Sequence, residues 1–177
     1  MKKLWSVILL SLSLVSADLV KFAAPLTADT NTKIKAVFLY NFTKYVEWPQ
    51  AYKSGNFVIG VVGDESFSKE LDLFFNPKSI GSQRFEIKSF NRASDISPCH
   101  MIYVSPQFSG NLNDVLAKIK GKSTLVVTEK PGMARQGAAI NFTVIENKQK
   151  FELNKANAEK YDLKVSSSLT NLAILVE

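Results

Sequence analysis

Apolar residues recur with helical spacing near the start of the chain, at positions 34, 37, 38, 42, 45 and 46. This stripe predicts a helix with one buried face. Polar residues from Asp29 to Thr32 can cap the start of this helix. The step from Trp48 to Pro49 predicts its end, because a residue before proline avoids the helical region of backbone conformation.

Short apolar runs and helical stripes then alternate. The run at 57–62 is almost continuous, which is typical of a strand buried on both faces of a parallel sheet. Residues 85–90 begin by alternating between apolar and polar, which indicates a half-exposed strand. The same reasoning predicts further strands at 101–104 and 124–128, a helix at 66–75, and a helix that Ser109 or Asn111 caps and Gly121 closes.

The pattern changes after residue 138. Two strand-like segments, 139–145 and 149–153, are separated by Glu146-Asn147-Lys148 and predict an antiparallel hairpin. Asn154 can cap a helix through Tyr161, and a final helix is predicted at about 167–176. The order of elements predicts an α/β fold of three layers, with a mostly parallel central sheet, an antiparallel C-terminal hairpin and helices on both faces. The residues predicted to face inward in the final helix are Leu169, Leu172, Ala173 and Val176.

The first seventeen residues have the three parts of a secretory signal peptide. A basic Met1-Lys2-Lys3 precedes an apolar run at 4–15, and small residues follow it up to Ala17. The run is shorter than the roughly 20 residues that a spanning helix needs. We predict cleavage after Ala17, a flexible leader at 18–32 and a single domain at 33–177; an uncleaved anchor is the alternative. Export implies a periplasmic or extracellular location.

The composition excludes several kinds of chemistry. Of the 177 residues, 46% are apolar, which is enough for one buried core. The chain has one cysteine, Cys99, and one histidine, His100, so no intrachain disulfide can form. A tetrahedral metal site or a catalytic triad also lacks the residues it needs. We therefore predict no metal, no cofactor and no enzymatic activity.

The formal net charge is +6, which invites a nucleic-acid or membrane-surface interpretation. Lys2 and Lys3 leave with the signal peptide. Of the 22 basic residues, 19 are lysines, and they are scattered along the chain. Readers of base sequence depend on arginine for paired hydrogen bonds. We predict a solvated basic surface and no nucleic-acid partner. The alternative hypothesis is a weak attraction to anionic periplasmic surfaces.

Two glycine-containing segments are candidate ligand sites. Gly121-Lys122-Ser123 ends like a phosphate-binding loop, but Leu116 replaces the required first glycine and a helix precedes the segment, which excludes that function. Gly63-Asp64 follows a predicted parallel strand, where open α/β sheets bind ligands. A plain tight turn is the alternative at this position.

Residues 35–49 read KAVFLYNFTKYVEWP, and further distinctive blocks follow in a fixed order. These are FVIGVVGD at 57–64, CHMIYVS at 99–105, PGMARQG at 131–137 running into INF at 140–142, FELN at 151–154 and LKVSSSL at 163–169. Together the blocks resemble the YfiR-like family of exported bacterial proteins. The resemblance covers roughly residues 33–175, nearly the whole predicted mature chain.

The resemblance implies a periplasmic regulatory domain. The best understood member of the family binds the periplasmic part of an inner-membrane diguanylate cyclase and represses it, and its release raises cyclic di-GMP and promotes biofilm. Members are dimeric, and small-ligand or redox sensing is proposed for them. Other members act with sensor kinases or outer-membrane receptors, so a small-molecule-binding sensor is the alternative function.

One departure from the family concerns cysteine. Repressor-type members carry two cysteine pairs, whereas here Cys99 has no partner. Ala134 and Asn141 occupy the positions that match the other pair. Control through those disulfides therefore does not carry over to this chain.

Two sets of site residues follow. Matching residue to residue, the resemblance places Ile140 and Glu152 on a partner-docking face; ordinary pairing within the sheet is the alternative. The helix before Pro49, together with a loop flanked by glycines, supplies the second set, which we predict to bind a small ligand. Ordinary packing is the alternative for the tryptophan of the helix, and an ion pair with a carboxylate is the alternative for the arginine of the loop. The predicted ligand-binding residues are Tyr40, Asn41, Lys44, Trp48 and Arg135.

Overall fold

The computed structural model describes residues 28–177. The predicted signal peptide and the leader up to residue 27 lie outside these residues. The first helix, α1 (Ala28–Tyr45), begins earlier than the apolar stripe predicts, so residues 28–32 are helical. No helix within the described range combines the length and the hydrophobicity needed to cross a membrane.

Most of the predicted elements are present close to their predicted bounds. The other helices are α2 (Glu65–Phe75), α3 (Leu112–Lys118), α4 (Lys155–Glu159) and α5 (Ser167–Leu172). The strands are β1 (Val46–Glu47), β2 (Phe57–Val62), β3 (Ser79–Ile80), β4 (Gln83–Phe90), β5 (Met101–Val104), β6 (Leu125–Thr128), β7 (Ile140–Ile145), β8 (Lys148–Leu153), β9 (Lys164–Val165) and β10 (Ile174–Leu175).

Eight strands form one sheet in the order β10-β8-β7-β6-β5-β2-β4-β3. Neighbours from β4 to β7 run parallel, and the two antiparallel pairs are β3 with β4 and β7 with β8. The predicted three-layer α/β fold with a mostly parallel sheet and an antiparallel hairpin is confirmed. We call the edge where β2, β5 and β6 begin the amino edge, and the edge where they end the carboxyl edge.

Aromatic packing holds α1 against one face of the sheet. Phe42 of α1 stacks on Phe142 with ring centroids 5.8 Å apart and meets Phe151 edge-on at 5.2 Å. Right-handed crossovers from β2 to β4 and from β5 to β6 run in opposite directions along the sheet, which places α2 and α3 on opposite faces. Gly137 permits one close approach on the α3 side, because a Cβ there would lie 2.5 Å from a methyl group of Leu116.

The predicted hairpin is confirmed, and two residues close it. Glu146 and Asn147 have φ values of 49° and 57°, the pair of left-handed residues that a tight two-residue hairpin requires. The antiparallel register then pairs Ile145 with Lys148 at the turn and Asn141 with Glu152 near the other end.

The predicted C-terminal helix is only partly correct. Helix α5 ends at Leu172, and the next residues form β10, which pairs in parallel with the end of β8. Leu169 is buried as predicted, whereas Leu172 is 65% exposed. The helix ends early because the backbone of residues 174–176 bonds to β8 instead, as in the hydrogen bond from the Val176 amide to the Leu153 carbonyl.

Candidate functional site

The sheet is covered on both faces at its centre but leaves one face uncovered at the hairpin. Every residue of β5 and β6 is buried, whereas exposed and buried residues alternate along β8. Phe151 lies on the covered side against α1, so its neighbours in β8 point to the opposite side. We call this uncovered surface the open face, and it consists of Thr143, Ile145, Lys148, Lys150, Glu152 and Ile174.

A chain of hydrogen bonds fixes the carboxylate of Glu152 on the open face. The Asn141 side-chain nitrogen donates to Glu152 Oε2 at 2.9 Å. The side-chain oxygen of Asn141 accepts from the Thr128 hydroxyl at 2.8 Å and from the Lys130 amide at 3.1 Å. Asn141 is only 1% exposed, so the carboxylate is presented by a rigid, buried support. Sequence reasoning missed this support, because only the strand register shows that Asn141 faces Glu152.

The structure corrects the position of Ile140. Its side chain is completely buried, and its partner across the hairpin is Leu153, not Glu152. Because neighbouring residues of a strand point to opposite faces, Ile140 points into the core while Asn141 lies on the side of Glu152. Ile140 therefore cannot contact a partner through its side chain and contributes to the hairpin's packing.

The predicted ligand-binding residues do not converge on one site. Tyr40 packs edge-on against Phe75 at 6.0 Å, and the Lys44 ammonium lies 4.1 Å from the centre of the Tyr40 ring. Asn41 lines a separate shallow apolar hollow of about 250 Å³ on α1. Arg135 is exposed and lines a third depression, of about 750 Å³, beside α4 and the C-terminal residues.

Lys44 and Trp48 do share a cavity of about 360 Å³ at the amino edge. Trp48 mainly stabilises the wall of this cavity, because its side chain is 5% exposed and its indole nitrogen donates to the His100 carbonyl at 3.0 Å. The remaining residues that line this cavity are Thr43, Val46, Glu47, Tyr52, Lys53, Phe57, Ile80, Gly81, Ser82 and Gln83.

The imidazole of His100 connects the wall of this cavity to the sheet. Its Nδ1 accepts from the Val58 amide at 3.0 Å, so the ring proton lies on Nε2, which donates to the Tyr52 carbonyl at 2.8 Å. The ring stacks on Phe57 with centroids 4.4 Å apart. Burial lowers the pKa of His100 below its usual range, and the hydrogen bond to the Tyr52 carbonyl opposes this shift.

This geometry predicts a pH-dependent stability. Protonation of His100 in the folded protein would place a proton on Nδ1, directly opposite the amide proton of Val58. The folded protein therefore resists protonation, and the imidazole binds a proton more readily in the unfolded chain. With the folded pKa lowered, stability present at neutral pH is lost as pH falls below about 6.5, by at most about 1.4 kcal/mol at pH 5.5. Urea unfolding at about pH 7.5 and 5.5 measures the change. His100→Asn, which keeps an acceptor for the Val58 amide, should lose this dependence; an equal slope in both proteins would assign it to other groups.

The carboxyl edge is filled by the chain's own side chains. At Gly63, where φ is 77°, a Cβ would lie 2.7 Å from the Cβ of Phe108, so the turn is tightly closed. Asp64 caps α2 by accepting from the Phe67 amide at 2.9 Å. The interpretation of Gly63-Asp64 as a tight turn therefore accounts for both residues.

A half-buried ion pair stands beside this turn at the carboxyl edge. The Lys35 ammonium lies 2.6 Å from Glu129 Oε2, which also accepts from the Tyr103 hydroxyl. Burial and the neighbouring carboxylate raise the pKa of Tyr103 above its usual range. The three groups satisfy one another, and they fasten the start of α1 to the ends of β5 and β6.

The fold and the open face define an α/β domain that presents a supported carboxylate on an uncovered sheet surface. The chain belongs to the YfiR/HmsC-like family, whose profile matches residues 32–174. Proteins of this family are periplasmic regulators of signalling. A comparison with curated proteins finds no significant match.

Among the solved structures that match this chain, one serves as an example of the shared fold. It is described as the ABC domain in complex with L-Trp from Streptococcus pneumonia, and it is 13% identical with a TM-score of 0.51. The similarity covers 68% of this chain and 55% of that chain, so this chain matches only about half the length of that protein. At this level of identity the likeness shows the fold alone.

Proposed function

We propose that the protein is a periplasmic, non-enzymatic regulator that binds the periplasmic part of an inner-membrane signalling protein of the diguanylate cyclase type and represses it. The observation that carries the proposal is the open face, where Glu152 is held by buried Asn141 beside Lys150 and Ile174. A rigid carboxylate next to exposed apolar and basic groups suits a specific protein interface. We expect the protein to act as a homodimer after export through a cleaved signal peptide.

The mechanism would be a population shift. A regulator that binds the inactive conformation of its partner more tightly than the active one holds the partner inactive, and release of the regulator restores activity. No covalent chemistry is needed. The regulator has to present a surface of fixed shape, which the Thr128–Asn141–Glu152 hydrogen bonds provide.

Capture from membranes tests the proposal. The tagged protein is expressed with its export signal and recovered from detergent-solubilised membranes, and the co-purifying proteins are identified. We expect an inner-membrane cyclase, and we expect deletion of the gene to raise cyclic di-GMP. Recovery of no inner-membrane signalling protein, together with unchanged cyclic di-GMP on deletion, would reject the proposal.

Reversal of the charge at Glu152 should weaken docking without unfolding the domain. Glu152→Lys places a cation where the carboxylate accepts from Asn141, and we expect at least about a tenfold loss of partner affinity. Glu70→Lys on α2 makes the same charge change at an exposed position on the other side of the sheet. Retained binding by Glu152→Lys, or equal loss in both variants, would exclude the open face as the interface; circular dichroism melts confirm folding.

A second candidate function has its own support. The cavity at the amino edge is large enough for a small molecule and has both apolar and polar walls, so the protein could instead sense a ligand together with a sensor kinase or an outer-membrane receptor. The capture experiment separates the candidates, because recovery of a kinase or receptor and no cyclase favours the sensor.

A further inference from the structure

From the distribution of lysines at the amino edge, we infer that this edge docks on anionic phospholipid headgroups of the membrane. The inference concerns a different surface from the open face. It does not depend on the identity of the partner protein, and it goes beyond the proposed regulation.

Contacts around Tyr52 bring four exposed lysines to this edge from distant parts of the sequence. Lys44 and Lys53 line the same cavity as Tyr52. The Tyr52 hydroxyl accepts from the Ser123 amide at 3.0 Å, which places Lys122 next to the same loop, and Lys120 lies two residues before it. We call Lys44, Lys53, Lys120 and Lys122 the amino-edge lysines, and all four are exposed.

These positive charges are poorly compensated. Lys53 pairs with the exposed Glu47 at 3.2 Å. Within residues 28–177, the other three amino-edge lysines have no carboxylate partner. At the carboxyl edge Lys35 pairs with Glu129 and Lys69 with Glu65, whereas Lys130 has no carboxylate partner among the described residues. The amino edge, where the parallel strands begin, therefore carries excess positive charge from Lys44, Lys120 and Lys122.

The chemistry of this edge fits lipid headgroups better than a folded acidic partner. Lysine is a hydrated point charge on a flexible stem, which suits diffuse attraction to a charged surface and not paired recognition of one carboxylate. Each lysine near an anionic bilayer increases binding by about fivefold. Tyr45 ends α1 nearby and is 37% exposed, and tyrosine is an aromatic residue suited to the headgroup region.

Vesicle binding tests the inference with the protein purified after export. Sedimentation with phosphatidylcholine vesicles that contain about 30% phosphatidylglycerol should recover the protein, and pure phosphatidylcholine should not. Salt at about 0.5 M should abolish binding, because it screens charges beyond a few ångströms. Lys120→Glu with Lys122→Glu should reduce the partition coefficient by at least about 25-fold, which is fivefold for each lysine removed.

A matched variant separates position from net charge. Lys69→Glu with Lys130→Glu makes the same charge change at exposed sites toward the carboxyl edge, where Lys69 pairs with the exposed Glu65 at 2.8 Å, and should keep most of the binding. Equal losses in the two variants, or no preference for anionic vesicles, would overturn the inference. A third outcome is that the Lys120→Glu, Lys122→Glu variant no longer captures the detergent-solubilised partner and that the wild-type protein does not bind anionic vesicles. In that case the lysines contact a protein partner, and the lipid inference is wrong. Binding to the partner protein is measured separately, by capture in detergent with the Glu152→Lys variant. The proposed regulation and the proposed lipid binding can therefore fail independently.

Discussion

Trp48→Ala should lower the free energy of unfolding by about 3–5 kcal/mol, the usual cost of removing a buried large aromatic side chain. The indole meets the Phe57 ring edge-on with centroids 4.9 Å apart. Its Nε1 proton also satisfies the buried His100 carbonyl, and the substitution leaves that oxygen without its donor. Equilibrium urea unfolding followed by far-ultraviolet circular dichroism measures the loss.

Two further variants separate the contributions of Trp48. Trp48→Phe keeps an aromatic ring against Phe57 but removes the hydrogen bond, so it should cost about 1–2 kcal/mol. Tyr45→Ala removes a partly exposed aromatic residue three positions away and should cost less than about 1 kcal/mol. If Trp48→Ala unfolds with nearly wild-type stability yet abolishes ligand binding in the cavity, then Trp48 is a ligand-binding residue and not the structural anchor described above.

Cys99 should react with thiol reagents about 1000-fold more slowly in the native protein than in the unfolded chain. Burial raises the pKa of the Cys99 thiol from 9.0 to about 12, which lowers the fraction of reactive thiolate by that factor. The side chain is 3% exposed, its sulfur lies 3.2 Å from the Ser97 carbonyl oxygen, and Gly60 leaves little room beside it. Reaction with a chromogenic disulfide at about pH 8, with and without guanidinium, measures the ratio.

An exposed cysteine provides the control for reagent access. Asn91→Cys in a Cys99→Ala background places a thiol at an exposed position, and it should react within seconds to minutes in the native state. Rapid reaction of native wild-type protein would contradict the burial and restore a redox role. With the expected protection, regulation of this protein does not pass through its cysteine, in contrast to the family members that carry cysteine pairs.

The local elements could be predicted because each rests on a local pattern. Apolar spacing predicts the helix at 66–75, and the structure places it at Glu65–Phe75 with Asp64 as its cap. The hairpin turn follows from Glu146-Asn147, where asparagine tolerates the left-handed backbone conformation. The continuous apolar run of β2 already indicates burial on both faces, which the structure confirms.

Elements that depend on distant pairing could not be predicted in this way. β1 pairs with β9, joining Val46 to Val165, but two-residue strands are too short to show a periodicity. The end of α5 was wrong for the same reason, since a local helical stripe cannot reveal that Ile174 pairs with Glu152. The backbone hydrogen bonds that stabilise β1 and β10 are made with strands that lie elsewhere in the sequence, so no local pattern shows them.

The sequence by itself determined the class of fold, the order of its main elements and the family, because periodicity, turn chemistry and ordered motifs are all written locally. Only the tertiary structure decided where each predicted site residue lies and what it contacts. Strand register buried Ile140 and placed Asn141 behind Glu152, and loop packing around Tyr52 gathered lysines that are scattered in the sequence. Side-chain direction in a sheet reverses with every residue, so the role of a position depends on a register that long-range contacts select.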